Sequence, residues 1–128
     1  MYEPIRTKSV HSMAGAAQYP HRTREEELDI QLAGHLAALL AVTDELGLGR
    51  PGDRIAEQVA RLRGAPPARH AALTRADPAA LHHRALTLAG RALVVAASRA
   101  DTAAAILAAE RMDAHTAALH DAELIGAP

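Results

Sequence analysis

The sequence predicts an all-α fold, an up-and-down bundle of four to five helices with an N-terminal arm. Three observations support this class. Alanine occurs 32 times, and the leucines recur at three- and four-residue steps. Among Phe, Trp and Tyr, the chain contains only two tyrosines. Alanine has the highest helix propensity, and a chain without large side chains fills its interior by bringing helix backbones close together.

The 128 residues are sufficient for one domain. Residues 1–22 are predicted to form a partly irregular arm, because they contain two prolines and a glycine and show no sustained apolar period. One helical turn is expected within the arm, near residues 9–18. Residues 23–128 are predicted to form a single helical-bundle domain.

The first helix is predicted to begin after Thr23 and to end at Gly47. Thr23 and Glu26 have the spacing of a capping box, in which each side chain accepts a hydrogen bond from the other residue's backbone N–H. The acids of the first turn complement the positive end of the helix dipole. The apolar stripe of this helix consists of Leu28, Leu32, Leu36, Leu39, Val42 and Leu46.

The second helix is predicted to start near Pro51 and to stop at Gly64. A brief further helix is expected over residues 68–75. Asp77 and Pro78 then provide the N-cap and the first-turn proline of a clearly amphipathic helix. Its apolar side carries Leu81, Ala85, Leu88, Ala92 and Val95, and its polar side carries His83, Arg84, Thr87, Arg91 and Ser98.

No glycine or proline occurs between residues 91 and 125, so the sequence allows one very long helix or a break at residues 98–101. A single helix over residues 78–124 would be about 70 Å long at a rise of 1.5 Å per residue, far longer than a compact domain of this size. We therefore favour a break, with Asp101 as the N-cap of the last helix.

Composition excludes several functions. The chain has no cysteine, which excludes disulfides, thiolate zinc sites and thiol nucleophiles. No apolar run approaches the roughly 20 residues of a membrane span, and we expect a cytoplasmic protein. Phosphate-binding glycine loops and common hydrolase motifs do not occur, so no cofactor is assigned. Arginine makes up 13 of the 14 basic residues, which indicates a GC-rich, actinobacterium-like source.

The net charge of −1 hides four blocks of alternating sign. The net charge is +2 over residues 1–22, −5 over residues 23–49, +6 over residues 50–99 and −4 over residues 100–128. Neighbouring helices of opposite charge can complement each other within one bundle. We therefore interpret the basic middle block as an internal partner and do not expect nucleic-acid binding.

Three ionisable residues are predicted to point inward: His35, His82 and Glu110. His35 interrupts the leucine stripe of the first helix, and His82 lies among apolar residues of the third. Glu110 shares a sector of the last helix with Ala103, Ile106, Leu107, Ala114, Ala117 and Leu124. A buried carboxylate needs a partner. The three residues are therefore candidates for hydrogen bonds in the core, or for a divalent metal site with two imidazoles and one carboxylate.

The last helix has a second apolar line, which faces away from the first. A helix that is apolar on two sides is either central in a monomer or shared between subunits. We favour a homodimer with this helix at the interface, and a different protein partner is the other possibility. The predicted interface line consists of Ala105, Ala108, Met112, His115, Leu119 and Ala122.

Two short patterns resemble motifs of known families. E-E-x-x-D at residues 25–29 with E-x-x-D at residues 110–113 is similar to the magnesium-binding motifs of all-α nucleoside triphosphate pyrophosphatases, although the first motif ends in Asp instead of Glu. Arg75 and His82 resemble the R-x4-6-H motif of HEPN ribonucleases, although Ala76 replaces the usual polar residue. Neither pattern assigns the chain to a family.

Two functional hypotheses follow from the sequence. The first is a non-enzymatic interaction or regulatory module that works by homodimerisation, supported by the doubly apolar last helix. The second is a helical bundle that binds a divalent metal or a small ligand through His35, His82 and Glu110, with enzymatic activity as a further option. Partner, ligand and pathway are not specified by the sequence.

Overall fold

The computed structural model describes residues 22–72 and 77–126, and every regular element in these residues is an α-helix. The four helices are α1 (Arg24–Glu45), α2 (Gly49–Arg63), α3 (Pro78–Arg99) and α4 (Thr102–Gly126). The all-α class is therefore confirmed. The predicted helical turn at residues 9–18 and nearly all of the arm lie outside the described residues. None of the four helices combines the length and the apolar character that crossing a membrane requires.

Side-chain caps fix the starts of α1 and α3, as the sequence predicts. The backbone N–H of Glu26 donates to the Thr23 hydroxyl over 3.1 Å, and the backbone N–H of Thr23 donates to the Glu26 carboxylate over 2.9 Å. The carboxylate of Asp77 accepts from the backbone N–H of Ala79 over 3.1 Å. Helix α2 ends at Gly64, whose φ of 77° is a left-handed conformation that glycine adopts without a steric penalty.

A tight turn at Ala100 separates α3 from α4, so the predicted break is confirmed. Ala100 has a φ of 58°, in the left-handed region. The carboxylate of Asp101 accepts from the backbone N–H of Ala104 over 3.1 Å, which makes Asp101 the predicted cap of α4. Arg61 of α2 adds an ion pair to the same carboxylate over 2.8 Å.

We expect Ala100→Gly to raise the free energy of unfolding by about 1 kcal/mol. A left-handed alanine costs roughly 1–2 kcal/mol that glycine avoids, and the greater freedom of glycine in the unfolded chain offsets part of this gain. Urea denaturation measures the difference. The control Ala114→Gly, at an exposed helical position of α4, should instead lower stability by about 1 kcal/mol. A lower stability for Ala100→Gly would contradict the prediction.

Ion pairs show the relative directions of the helices. Arg99, at the end of α3, donates to Asp29, near the start of α1, over 3.1 Å, so these two helices are antiparallel. Two arginines of α2 pair with two acids of α4 in reverse order along the chain, Arg54 with Glu110 and Arg61 with Asp101. Helices α2 and α4 are therefore antiparallel too, and α3 and α4 form a hairpin. The helices consequently run up, down, down and up.

The strictly alternating up-and-down order is therefore wrong, because α2 and α3 run in the same direction. The chain must return along the length of α2, about 22 Å at the helical rise, before α3 can begin. Residues 64–72, which we call the strap, start this return. The strap is irregular, so the predicted helix at residues 68–75 is not formed over 68–72, and its last part lies outside the described residues.

Asp44, at the end of α1, fastens the strap to the bundle. Nη2 and Nε of Arg69 donate to the two carboxylate oxygens of Asp44 over 2.8 and 3.0 Å, and the backbone N–H of His70 donates over 3.0 Å. Arg69 also donates to Asp53 over 2.9 Å. The hydrogen bonds from Arg69, above all, lower the pKa of Asp44 although burial opposes the shift. This anchor explains why the strap is not helical there.

The core combines leucines of α1 with alanines of α3 and α4. Leu32, Leu36 and Leu39 are fully buried and pack with Ile55 and Val59 of α2. The most extensive helix contact is between α3 and α4. Small side chains allow these two helices to approach closely. The fully buried alanines of this hairpin are Ala85, Ala89, Ala92, Ala96, Ala104 and Ala108.

Candidate functional site

Two histidines meet where α3 packs against α4. The Nδ1 atoms of His82 and His115 lie 2.8 Å apart, and the ring centroids are 5.1 Å apart. His115 is fully buried and His82 is half-buried. At this distance one Nδ1 must donate a hydrogen bond and the other must accept it.

Arg111 determines which of the two rings donates. It lies one helical turn before His115 on α4, and its Nη2 makes a long hydrogen bond of 3.4 Å to Nε2 of His115. A guanidinium can only donate, so Nε2 of His115 accepts and the proton of that ring is on Nδ1. His115 therefore donates to Nδ1 of His82, and His82 carries its proton on Nε2. The three side chains form a directed chain of hydrogen bonds.

The cluster contains an arginine and two imidazoles but no contacting carboxylate. Among the described residues, no Asp or Glu lies within ion-pair distance of either ring. Burial, with a further contribution from the charge of Arg111, lowers the pKa of His115 to about 4. The same two causes lower the pKa of His82, and His83 contributes to that shift. Both rings are therefore neutral at pH 7.

Arg111 lies in surroundings that are unusual for a charged side chain. Burial lowers the pKa of Arg111, the charge of Arg54 acts in the same direction, and Glu110 opposes the shift. Nε of Arg111 is buried and has no hydrogen-bond partner among the described residues. A partly buried cation without a carboxylate partner is costly, and such positions are more frequent at functional sites than in ordinary cores.

His35, His82 and Glu110, the three predicted metal ligands, are not assembled into a metal-binding group. The side chain of Glu110 is 49% exposed and forms an ion pair with Arg54 over 2.8 Å, so the inward orientation predicted for it is wrong. His35 is half-buried on α1, and His82 is bonded to His115. Within residues 22–72 and 77–126, no three His, Asp or Glu side chains form a group that could hold a metal ion.

The two faces of α4 are exchanged relative to the prediction. The sector predicted to be buried is exposed, with the exception of Leu107; its exposed members are Ala103, Ile106, Glu110, Ala114, Ala117 and Leu124. In the predicted interface line, Ala108 and His115 are fully buried, Ala105, Met112 and Leu119 are half-buried, and only Ala122 is exposed. Alanines surround the whole helix, so apolar periodicity alone did not identify its inner side. The inner line contains the small residues that permit the closest approach to α3.

The outward side of the hairpin carries an apolar patch, the outer α3–α4 face, formed by Ala97, Ala105 and Ile106. The large side chains Val94 and Ile106 are 66% and 53% exposed. Ala97, Ala105 and Ile106 line a shallow, mainly apolar depression next to the turn at Ala100. Val94 is a further exposed apolar side chain of α3, one turn before Ala97. Contiguous exposed apolar surface of this kind is typical of protein interaction sites.

The exposed charges of α3 and α4 have opposite signs. Helix α3 exposes Arg84 and Arg91, and its third arginine is half-buried. Helix α4 exposes four acids, and its one arginine is turned toward His115. The exposed acids are Glu110, Asp113, Asp121 and Glu123. The hairpin therefore presents a basic helix beside an acidic one.

The residues of the two short motifs serve separate structural purposes. Glu26 caps α1, Asp29 pairs with Arg99, and Glu110 pairs with Arg54. The arginine of the R-x4-6-H pattern, Arg75, lies outside the described residues.

The comparisons with protein families, with curated proteins and with solved structures gave no match to this chain.

Proposed function

We propose that this protein is an interaction module that pairs with a second copy of itself through the outer α3–α4 face. The observation that supports the proposal is the exposure of Ile106 in the apolar depression, with Val94 exposed on α3, one of the two helices that line it. Burying apolar surface gains about 25 cal/mol per Å², and a few large side chains at the centre of an interface dominate its affinity. Ile106, which both lines the depression and projects from it, is the proposed centre.

The charges of the hairpin favour a second copy as the occupant. A two-fold interface brings the same patch of both copies together, and with the axis parallel to the helices α3 of one copy faces α4 of the other. Arg84 and Arg91 of each copy would then face the acids of the opposing α4. This complementarity occurs twice in the dimer, and it would fix the orientation of the two copies and accelerate their encounter.

The proposed surface differs from the line predicted from sequence. Of that line, only Ala105 belongs to the outer α3–α4 face, because Ala108 and His115 are buried within a single chain. The homodimer itself, the cytoplasmic location and the expectation of no nucleic-acid partner stay predictions. The alternative function, metal or ligand binding by His35, His82 and Glu110, loses its support because Glu110 is paired with Arg54.

Ile106→Glu tests this proposal. We expect the wild-type protein to have twice the monomer mass of 13.5 kDa in light scattering coupled to size exclusion. A carboxylate at the centre of the interface should weaken association by about 2 kcal/mol or more, which is roughly 30-fold in Kd. The variant should fold normally because Ile106 is mostly exposed.

The matched control is Ile30→Glu, since Ile30 is 49% exposed but lies on α1. This control should retain the dimer. A monomeric wild-type protein, or equal effects of the two substitutions, would contradict the proposal.

A further inference from the structure

We propose that the His82–His115 pair is an acid-sensitive latch, which holds α3 to α4 while both rings are neutral and opens when the pair takes up a proton. The latch lies within one chain, so this proposal does not depend on the proposed self-association. It depends on the directed chain of hydrogen bonds from Arg111 to His115 to His82.

An added proton has no position that preserves this chain. If His82 is protonated, both of its ring nitrogens donate, and its Nδ1–H meets the Nδ1–H of His115 across 2.8 Å. His115 could accept only by moving its own proton to Nε2. That nitrogen then faces a guanidinium N–H of Arg111 at 3.4 Å, again donor against donor. Protonating His115 directly keeps its hydrogen bond to Nδ1 of His82 but sets its new Nε2–H against the same guanidinium N–H.

Among the described residues, no carboxylate lies at ion-pair distance from either ring to stabilise the protonated pair. Helix α3 contributes His82 and its neighbour His83, which opposes protonation of His82. Helix α4 contributes Arg111, whose charge opposes protonation of both rings, and Glu110. Helix α2 contributes Arg54, which already pairs with that glutamate. Each protonated form therefore has one donor–donor contact and an added charge with no carboxylate at ion-pair distance. Both are relieved when the rings leave the α3–α4 interface, which separates the N-terminal half of α3 from α4.

The direction and range of the pH dependence follow from these groups. An unfolded histidine titrates near pH 6.5, whereas burial lowers the pKa of His115 in the folded chain to about 4. The unfolded state therefore binds more protons in this interval, so stability is highest above pH 6.5 and decreases as the pH falls toward 4. Asp44 and Asp101 have lowered pKa values, so their stabilisation is lost only at lower pH.

The test compares urea denaturation of the wild-type protein and His115→Leu between pH 7 and pH 4.5. In the wild type, the unfolding constant should rise by up to about tenfold per pH unit below pH 6.5. In His115→Leu, the rise of the unfolding constant between pH 7 and pH 4.5 should be at least tenfold smaller than in the wild type. The control His120→Gln, at an exposed position of α4, should behave as the wild type. Parallel curves for the wild type and His115→Leu would overturn the proposal.

A second measurement does not require the leucine variant to fold. Nitrogen-15 NMR of the histidine rings at pH 7 should show the proton of His115 on Nδ1 and that of His82 on Nε2. Arg111→Met removes the donor that fixes the tautomer of His115, so the pair should then titrate at higher pH and acid should destabilise the variant less. Reversed tautomers, or normal titration of both rings in the wild type, would overturn the latch.

Discussion

Ala108→Leu is expected to lower the free energy of unfolding by about 3 kcal/mol. Ala108 is fully buried, and the alanines around it allow α3 and α4 to pack closely. A leucine adds three carbons at a fully buried position between the two helices, and such overpacking costs about 1–3 kcal/mol, occasionally more. We expect a cost at the upper end of this range because the backbones of α3 and α4 would have to separate to accommodate the leucine. Urea denaturation at pH 7 measures the change.

The same substitution distinguishes the two possible orientations of α4. If Ala108 belonged to a subunit interface, as the second apolar line of the last helix predicts, leucine would change association and leave the fold intact. In the orientation described here, leucine destabilises the monomer. Ala114→Leu is the matched control, because Ala114 lies on the same helix and is exposed, and its stability should remain within about 0.5 kcal/mol of the wild type. Equal stabilities of the two variants would contradict this orientation.

Asp44→Asn is expected to lower the free energy of unfolding by about 2–3 kcal/mol. The buried carboxylate accepts from the guanidinium of Arg69 and from the backbone N–H of His70. Hydrogen bonds to charged groups contribute about 1.5–3 kcal/mol, and an amide replaces one acceptor oxygen by a donor. Release of the strap should also accelerate tryptic cleavage after its arginine. Denaturation and limited proteolysis provide the two readouts.

Asp53→Asn is the control for this prediction. Asp53 contacts the same guanidinium but its side chain is 70% exposed, so its substitution should change stability little. The pKa of Asp44 is lowered in the folded state, so its stabilisation is present above the ordinary carboxyl pKa and is lost as the pH falls. The stability difference between wild type and Asp44→Asn should therefore shrink in acid. A difference that grows in acid would contradict the anchor.

The elements that could be predicted from the sequence depend on local chemistry. The capping box of Thr23 and Glu26, the N-cap Asp77 and the stop at Gly64 each need only neighbouring residues, and all are found in the structure. The break at Asp101 also followed from local capping chemistry, combined with a limit on helix length. These features required no knowledge of how the helices pack.

The features that could not be predicted depend on long-range contacts. The strap is irregular because Arg69 reaches Asp44, 25 residues earlier in the chain, and no local signal marks that pairing. Glu110 turns toward solvent because Arg54 of α2 holds it there. The inner side of α4 is determined by its fit against α3, and a helix with alanine on every side gives no periodic signal for that choice.

The histidine pair is an intermediate case. The sequence identified His82 as inward-facing and placed His115 on an apolar line of the last helix, but it assigned the two residues to different roles. A hairpin turn at Ala100 places them at similar heights on antiparallel helices, since each lies some 15 to 18 residues from the turn. Their pairing could thus have been inferred once the break was accepted. Arg111, one turn before His115, was missed.

Two copies are proposed to meet at the outer α3–α4 face, and intermolecular distances test this arrangement most directly. The natural chain has no cysteine, so Ser98→Cys on α3 and Gln31→Cys on α1 each provide a single site for a nitroxide label. Both positions are exposed. Pulsed dipolar spectroscopy should give a defined distance for labels at residue 98 that is shorter than the distance at residue 31. No dipolar coupling at either position, or a shorter distance at residue 31, would contradict the claim.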